Sequence, residues 1–218
     1  MKRSTRTTAP RTARTLVPPL AMLGAVLFAV LAAGCASSNS GPYTTQSESR
    51  RDPQRAQRLT LEAVEIAPRN PAKAEAMLRD ALTADLYHGP AHNNLGVLLL
   101  KKEPPQLYEA ASEFEWARKL LPGHPDPRVN LALVLEHAGR TDEALATYAA
   151  ALEVYPNYLP AMQALARLQL RSGHTDSSTD TYLNEIALRG ESTQWRQWAQ
   201  TQLIKRGDAR PIGDRVSP

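Results

Sequence analysis

A spacing of small, aromatic and proline residues recurs along the chain, and it restricts the fold more than any other feature. It consists of Asn130-Leu131-Ala132, Ala144, Tyr148, Ala151 and Pro156. Thirty-four residues later the same positions hold Ala164-Leu165-Ala166, Ser178, Tyr182, Glu185 and Gly190. Earlier, with two extra residues allowed near Pro104 and Pro105, they hold Asn94-Leu95-Gly96, Ala110, Phe114, Ala117 and Pro122, and a weaker copy contains Ala74, Leu78 and Ala81. A period of this length predicts stacked supersecondary repeats.

The residue types at these positions explain why the spacing favours helical hairpins. Two antiparallel helices pack closely only where small side chains separate their axes, which is the expected role of Ala132, Ala144 and Ala151. We expect Tyr148 to fill the gap one turn later, and Pro156 to follow the last turn of the helix, which it cannot continue. The spacing therefore predicts pairs of packed helices.

The apolar periodicity predicts helices along most of the remaining chain. Asn70-Pro71 is an N-cap followed by a first-turn proline, and Gly139 suits a tight turn. Thr141, followed by two acidic residues, suits a capped helix start. We expect helices near 54–66, 71–84, 89–102, 105–121, 125–138, 141–155, 159–172 and 176–189, and a closing amphipathic helix over 192–205 with Trp195 and Trp198 packed on the preceding hairpin.

This pattern resembles the tetratricopeptide repeat over roughly residues 53–205, most strongly over 125–158. The resemblance implies an all-α fold, a right-handed solenoid of about four antiparallel hairpins with a C-terminal capping helix. Glu185 departs from the expected small residue. If Glu185 faces a neighbouring helix it needs a partner, and the fourth hairpin is then expected to pack more loosely.

Members of the family bind peptides along the concave face, which the first helix of each repeat lines. Carrying over those positions gives the twelve residues of a partner-binding groove. They are Asn93, Val97, Leu100, Lys101, Val129, Leu133, Glu136, His137, Gln163, Arg167, Leu170 and Arg171.

An apolar floor with basic ends is what these groove residues would form. It would suit a protein or peptide segment with apolar side chains and some acidic character. The alternative is that the polar residues merely keep a solvated surface soluble. Val97 and Leu133 replace the asparagines with which chaperone-binding members clamp a peptide carboxylate, so we do not expect a chaperone-tail ligand.

The amino terminus predicts export. Five Lys or Arg residues lie within the first sixteen residues, followed by an apolar run from Leu20 to Ala33 without charge or proline. This run is shorter than the roughly 20 residues of a membrane-spanning helix. Leu31 to Cys35 resemble a bacterial lipobox, which implies that Cys35 carries a diacylglyceryl group. A plain secreted protein cleaved near Gly34 and an uncleaved signal anchor are the alternatives.

The domain organisation follows from these segments. We expect a signal peptide over 1–34, a flexible linker over 35–52 that is too polar to bury anything, the solenoid over 53–205 and a disordered tail over 206–218. Ala36 and Ser37 follow the cysteine without an aspartate, so in a Gram-negative cell the resemblance implies attachment to the outer membrane, facing the periplasm.

Other function classes find little support. The formal charge of +4 becomes −1 without the five amino-terminal cations, which argues against nucleic-acid binding. We expect no metal, cofactor or small-molecule substrate, since phosphate loops, zinc-ligand spacings and nucleophile elbows are not found. His88 and His92 are separated by a helix start at Gly89-Pro90, so their rings need not share a face.

These observations predict a non-catalytic adaptor of the bacterial envelope. The combination of lipobox and repeats resembles lipoproteins that assist pilus or secretin assembly, and those that recruit cell-wall hydrolases. The alternatives are a helper subunit of an envelope enzyme, an enzyme outright, or a protein that self-associates through its terminal helix.

Overall fold

The computed structural model describes residues 50–207. The predicted signal peptide with Cys35, nearly all of the predicted linker and the predicted tail from residue 208 lie outside these residues. Within residues 50–207 the chain forms nine α-helices and no strand, which confirms the predicted all-α class.

The helices lie close to the predicted segments. They are α1 Pro53–Ile66, α2 Pro71–Ala84, α3 Gly89–Leu100, α4 Leu107–Leu120, α5 Asp126–His137, α6 Thr141–Val154, α7 Leu159–Ser172, α8 Ser177–Arg189 and α9 Thr193–Lys205.

Contacts between the helices give the solenoid. Each helix packs against the next one in sequence, and α1 also contacts α3, α3 contacts α5, and α5 contacts α7. The first helices of consecutive hairpins therefore lie side by side. The last helix, α9, packs on α8 and closes that end of the stack.

The small and aromatic residues of the repeat occupy the predicted core positions. Ala132, Ala144 and Ala151 have no exposed surface, and the Tyr148 ring is buried among them. In the second hairpin Phe114 takes the place of Tyr148 and is equally inaccessible. Alanines let the helix axes approach, and the ring fills the space that remains.

Hairpin two brings its helices so close that one position must be glycine. A Cβ at Gly96 in α3 would lie 2.7 Å from Cε1 of the Phe114 ring. Because Phe114 is fully buried, the ring has no free space to move into.

The fourth hairpin departs from the predicted register. On α8 the buried positions include Thr179, Leu183 and Ile186, each one residue after the predicted Ser178, Tyr182 and Glu185. The cause is a longer turn, since Gly173, with φ 77°, follows the last residue of α7, and α8 starts only after Asp176. Asp176 accepts hydrogen bonds from the backbone N–H groups of Ser178 and Thr179, and the Thr179 hydroxyl accepts one from the Asp176 N–H.

The same shift resolves the expected problem at Glu185. Its side chain is one-third exposed and pairs with Arg189 at 3.0 Å, one turn later on the same helix. Ile186 takes the buried position instead. The condition on which a looser hairpin was expected, a Glu185 side chain that faces a neighbouring helix, is therefore not met.

Helix starts agree with the sequence at Asn70 and differ at Thr141. The Asn70 side chain accepts a hydrogen bond from the Lys73 N–H at 3.0 Å, as an N-cap does. Thr141 is the first helical residue and does not cap α6; the preceding Arg140 instead pairs with Glu143 at 2.6 Å. Gly139 has φ 74°, so the predicted tight turn is present.

The last residues of the predicted flexible linker are fixed to the folded part. Arg51 forms two hydrogen bonds to the Asp85 carboxylate, at 2.7 and 3.1 Å, and its guanidinium lies 4.9 Å from the centre of the Tyr87 ring. The Asp52 N–H donates to the Ala84 carbonyl at 2.9 Å. The folded part thus includes Arg51 and Asp52, which the polar composition of the segment had assigned to the linker.

Candidate functional site

The twelve predicted groove residues lie on α3, α5 and α7 and on the residues that end α3, and none of them is buried. Those partly exposed are Asn93, Val97, Leu100, Val129, Leu133, Glu136, Gln163 and Leu170, and those exposed are Lys101, His137, Arg167 and Arg171. This surface is called the groove below. Its apolar members are partly exposed, and three of its four exposed members are permanent cations.

Side chains of the groove helices meet across the helix boundaries. The Asn130 amide on α5 donates to the Asn93 carbonyl oxygen on α3 at 3.0 Å. On the next boundary, Glu136 on α5 forms ion pairs with Arg167 at 3.1 Å and Arg171 at 2.9 Å, both on α7. These contacts join the first helices of three consecutive hairpins.

Glu136 is the centre of the polar contacts at the far end of the groove. Its side chain is only 8% exposed, whereas the two arginines are about half exposed. It also accepts a hydrogen bond from the Tyr148 hydroxyl at 3.2 Å. Burial and the nearby Glu136 carboxylate raise the pKa of Tyr148, so this hydroxyl stays protonated and remains a donor. One carboxylate between two guanidinium groups leaves this end of the groove with excess positive charge.

A cleft of about 750 Å³ extends the surface toward the amino terminus, between α1, α2 and α3. Val97 and Lys101 of the predicted groove line it, together with residues of α1 and α2 such as Val64 and Leu78. The sequence prediction omitted the first hairpin here. Leu61 and Val64 were a usable signal, because they are apolar residues of α1 outside the buried stripe of Ala56, Thr60 and Ala63.

A buried polar pair lies at the interface of α3 and α4. His92 is fully buried. Its Nδ1 lies 2.6 Å from the Glu113 carboxylate, and its Nε2 lies 2.8 Å from the Leu86 carbonyl oxygen. Because a carbonyl only accepts, Nε2 carries the proton there. Trp116 stacks on the imidazole with ring centres 5.4 Å apart.

Sequence reasoning missed this pair, because Glu113 looked like an ordinary surface residue of an amphipathic helix. His92 was expected to sit at a helix start with no particular partner. The contacts instead give it a structural role, joining the loop after α2 to the second hairpin. Within residues 50–207, no three His, Cys, Asp or Glu side chains converge as metal ligands would.

The tryptophans of α9 pack as predicted. Trp195 and Trp198 are partly buried against the core cluster that contains Leu183 and Ile186, and their rings meet edge to face with centres 5.2 Å apart. The two rings therefore help to cover the apolar end of the solenoid.

No helix among the described residues is long and apolar enough to cross a membrane. The predicted lipidation site Cys35 lies outside these residues.

Comparison with protein families gives a partial match. The family model described as tetratricopeptide repeat matches residues 106–168 and 135–182. These ranges cover α4 to α7 and the first six residues of α8. No curated protein matches the chain in sequence.

Solved structures share the fold at low sequence identity. PilF from Pseudomonas aeruginosa is 22% identical with a TM-score of 0.62, over 72% of this chain and 71% of that one. The first TPR domain of Spaghetti (RPAP3), bound to the HSP90 peptide SRMEEVD, is 18% identical with a TM-score of 0.52, over 57% of this chain and 98% of that one.

YrrB, described as a TPR protein with an unusual peptide-binding site, is 19% identical with a TM-score of 0.54, over 71% of this chain and 79% of that one. At these identities the likeness concerns the fold. Residues 106–182 therefore match the tetratricopeptide-repeat model, and the described helices form an all-α solenoid like those of the similar structures.

Proposed function

We propose that this protein is a non-catalytic adaptor that binds a protein or peptide segment in the groove of α3, α5 and α7. The observation that carries the proposal is the continuity of this surface. Contacts at Asn93–Asn130 and at Glu136–Arg167 join three consecutive hairpins into one face. Such a face can contact an extended segment or a helix along its whole length.

The chemistry of the groove favours a partner segment with apolar and acidic residues. Leu100, Leu133 and Leu170 are each partly exposed, so a partner can remove more apolar area from water. Lys101, Arg167 and Arg171 supply exposed cations at its two ends. Long-range attraction between such cations and an acidic segment would speed association, and the apolar contacts would supply most of the affinity.

Two similar folds support binding of peptides as the mode of action. The RPAP3 domain is bound to an HSP90 peptide in its structure, and YrrB is described as having an unusual peptide-binding site. This chain differs from chaperone-binding repeats at Val97 and Leu133, so a different segment is the expected ligand.

We further propose that the protein acts in the bacterial envelope, lipid-anchored through Cys35 to the outer membrane and facing the periplasm. The support is the sequence alone: the basic start, the apolar run and the small residues before the single cysteine. The resemblance to lipoproteins of pilus and secretin assembly suggests that the partner belongs to such an assembly. The similarity to PilF is a similarity of fold and is compatible with this suggestion.

A capture experiment from envelope extract tests the adaptor function. The full chain is compared with a Leu100→Glu/Leu133→Glu double variant and with Leu188→Glu as control. Leu188 on α8 is 55% exposed and outside the groove, so its substitution adds one such negative charge elsewhere. A protein captured by the full chain and the control and lost by the double variant, at unchanged helical circular dichroism, supports the groove. A partner retained by the full chain and by both variants contradicts it.

A further inference from the structure

The cleft between α1, α2 and α3 is lined mainly by apolar side chains. Val64, Ala67, Pro68, Ala72, Val97 and Leu98 contribute to its walls, with Leu78 at its buried end. Its size falls within the range of about 300–1,000 Å³ found for ligand pockets. The cleft is therefore large enough to accept a bulky side chain of another molecule.

The α1 wall of the cleft exposes apolar side chains to solvent. Val64 is 51% exposed and lines the cleft, and Leu61, one turn earlier, is 63% exposed. Residues three apart on a helix share a face, so the two form one apolar strip beside the opening. Covering it would gain roughly 25 cal/mol for each Å² of apolar surface removed from water. This strip marks the side on which a ligand would lie.

The rim of the cleft has an excess of positive charge. Its carboxylate, Glu75, pairs with Lys102 at 2.8 Å and with Arg79 at 2.8 Å. Burial raises the pKa of Glu75, but the hydrogen bonds from Lys102 and Arg79 outweigh it and lower the pKa, so this group is ionised and already neutralised.

Lys101 is the rim cation that remains available. It lines the cleft, is exposed, and forms no ion pair with any residue of the described range 50–207. Its position directly after the last residue of α3 places the ammonium group beside the apolar walls. A carboxylate held next to an apolar anchor would meet both features at once.

We propose that this cleft takes a large aliphatic or aromatic side chain of the partner segment, with a carboxylate of the same segment bound by Lys101. The proposal rests on the adaptor function and deepens it, since it adds a specific anchor point on the first hairpin. Apolar fit in the cleft supplies affinity, and the lysine selects an acidic neighbour over a basic one.

Selection from a random dodecapeptide library displayed on phage tests the proposal. The full chain is used as bait in parallel with Val64→Asp, Lys101→Glu and the control Leu188→Asp. Leu188 matches Val64 in exposure, at 55% against 51%, and lies at the other end of the described helices. Circular dichroism of each variant verifies that the helices are intact.

Peptides enriched on the full chain and on the control are expected to share a large apolar residue with Asp or Glu within two positions of it. Their affinity for Val64→Asp should fall about tenfold or more, a loss of about 1.4 kcal/mol. Selection on Lys101→Glu should enrich Lys or Arg beside the same apolar residue. This change of preference is a result that a merely structural role of Lys101 could not produce.

Two other outcomes overturn the proposal and separate it from the adaptor function. Peptides that bind Val64→Asp and Lys101→Glu as well as the full chain, but lose affinity for Leu133→Glu, would refute the cleft and leave the groove as the site. If the full chain enriches no peptide at all, both the cleft and peptide binding by the groove are refuted.

Discussion

Gly96 in α3 lies against the ring of Phe114 in α4 so closely that no side chain fits between them. A Cβ at position 96 would come within 2.7 to 2.9 Å of three ring atoms. This contact holds the second hairpin together. The equivalent positions of the third hairpin are Ala132 in α5 and Tyr148 in α6. The second hairpin thus pairs a glycine with Phe114, whereas the third pairs an alanine with Tyr148.

Replacing this glycine should destabilise the protein although alanine favours helices. Gly96→Ala would gain up to about 1 kcal/mol in helix propensity. Overpacking a buried core costs typically about 1–3 kcal/mol, and we expect this term to dominate because Phe114 is fully buried. The free energy of unfolding, measured with urea, should therefore fall.

The control for this substitution is Gly123→Ala. A Cβ at Gly123 would meet nothing within 4 Å, so its effect should stay within about 0.5 kcal/mol. Equal effects of the two alanines would show that Phe114 can move aside and that the close packing is not needed.

The buried pair of His92 and Glu113 gives a second prediction. Glu113→Ala removes a 2.6 Å hydrogen bond from a fully buried imidazole. Breaking one partner of a buried pair costs about 3–5 kcal/mol. Glu115→Ala, which removes a surface ion pair with Arg118, should cost less than about 1 kcal/mol. Thermal unfolding followed by circular dichroism measures both, and a Glu113→Ala loss as small as that of the control would contradict the structural role of the pair.

Acid unfolding should depend on Asp85. Burial raises the pKa of this carboxyl. Hydrogen bonds from Arg51 and from the Tyr87 N–H lower the pKa, and together with nearby positive charge they outweigh burial, so the pKa lies below its ordinary value of 3.8. A depressed folded-state pKa contributes stability above the unfolded value, and this stability is lost as the pH falls through the folded value. The contribution is thus present at neutral pH and disappears below about pH 3.8.

Asp85→Asn should lower the free energy of unfolding at neutral pH and lose this difference from the unchanged protein in strong acid. Asp80→Asn on α2 is the control, because Asp80 is exposed. Urea unfolding across the acid range provides the measurement. A difference that stays constant down to the lowest pH would show that loss of the Arg51–Asp85 pair does not cause the fall in stability in acid.

The proposed lipid anchor predicts a change of location on Cys35→Ser. The variant should move from the membrane fraction to the soluble fraction, since Cys35 is the only thiol of the chain and the proposed site of acylation. Ser37→Ala serves as the matched control and should stay with the membrane. Retention of Cys35→Ser at the membrane would instead favour the apolar run of residues 20–33 as an uncleaved anchor.

Much of the fold could be predicted because the repeat spacing reports directly on packing. Small residues at Ala132, Ala144 and Ala151 predicted close contact between helices, and all three are buried. The failure in the fourth hairpin has a physical origin in turn length. A longer turn between Gly173 and Asp176 moves every inward position of α8 by one residue, and a fixed period cannot register this.

The candidate site was less predictable, because its features depend on contacts between distant segments. Arg167 and Arg171 appeared as free basic residues in the sequence, whereas both pair with Glu136 on the neighbouring hairpin. Glu113 is a charged residue of the kind usually found at the surface, but it is buried and contacts His92. Side-chain partners of this kind follow from the stacking of hairpins and leave no mark on local periodicity.

The most direct test of the central claim is photo-crosslinking in cells with a benzoylphenylalanine placed in the groove. Leu133 and Lys101 are the groove positions, and Tyr108, 85% exposed on α4, is the control. The account predicts that both groove positions crosslink to the same envelope protein and that position 108 does not. Crosslinking from position 108 alone, or equally from all three positions, would contradict the claim that the groove of α3, α5 and α7 binds the partner.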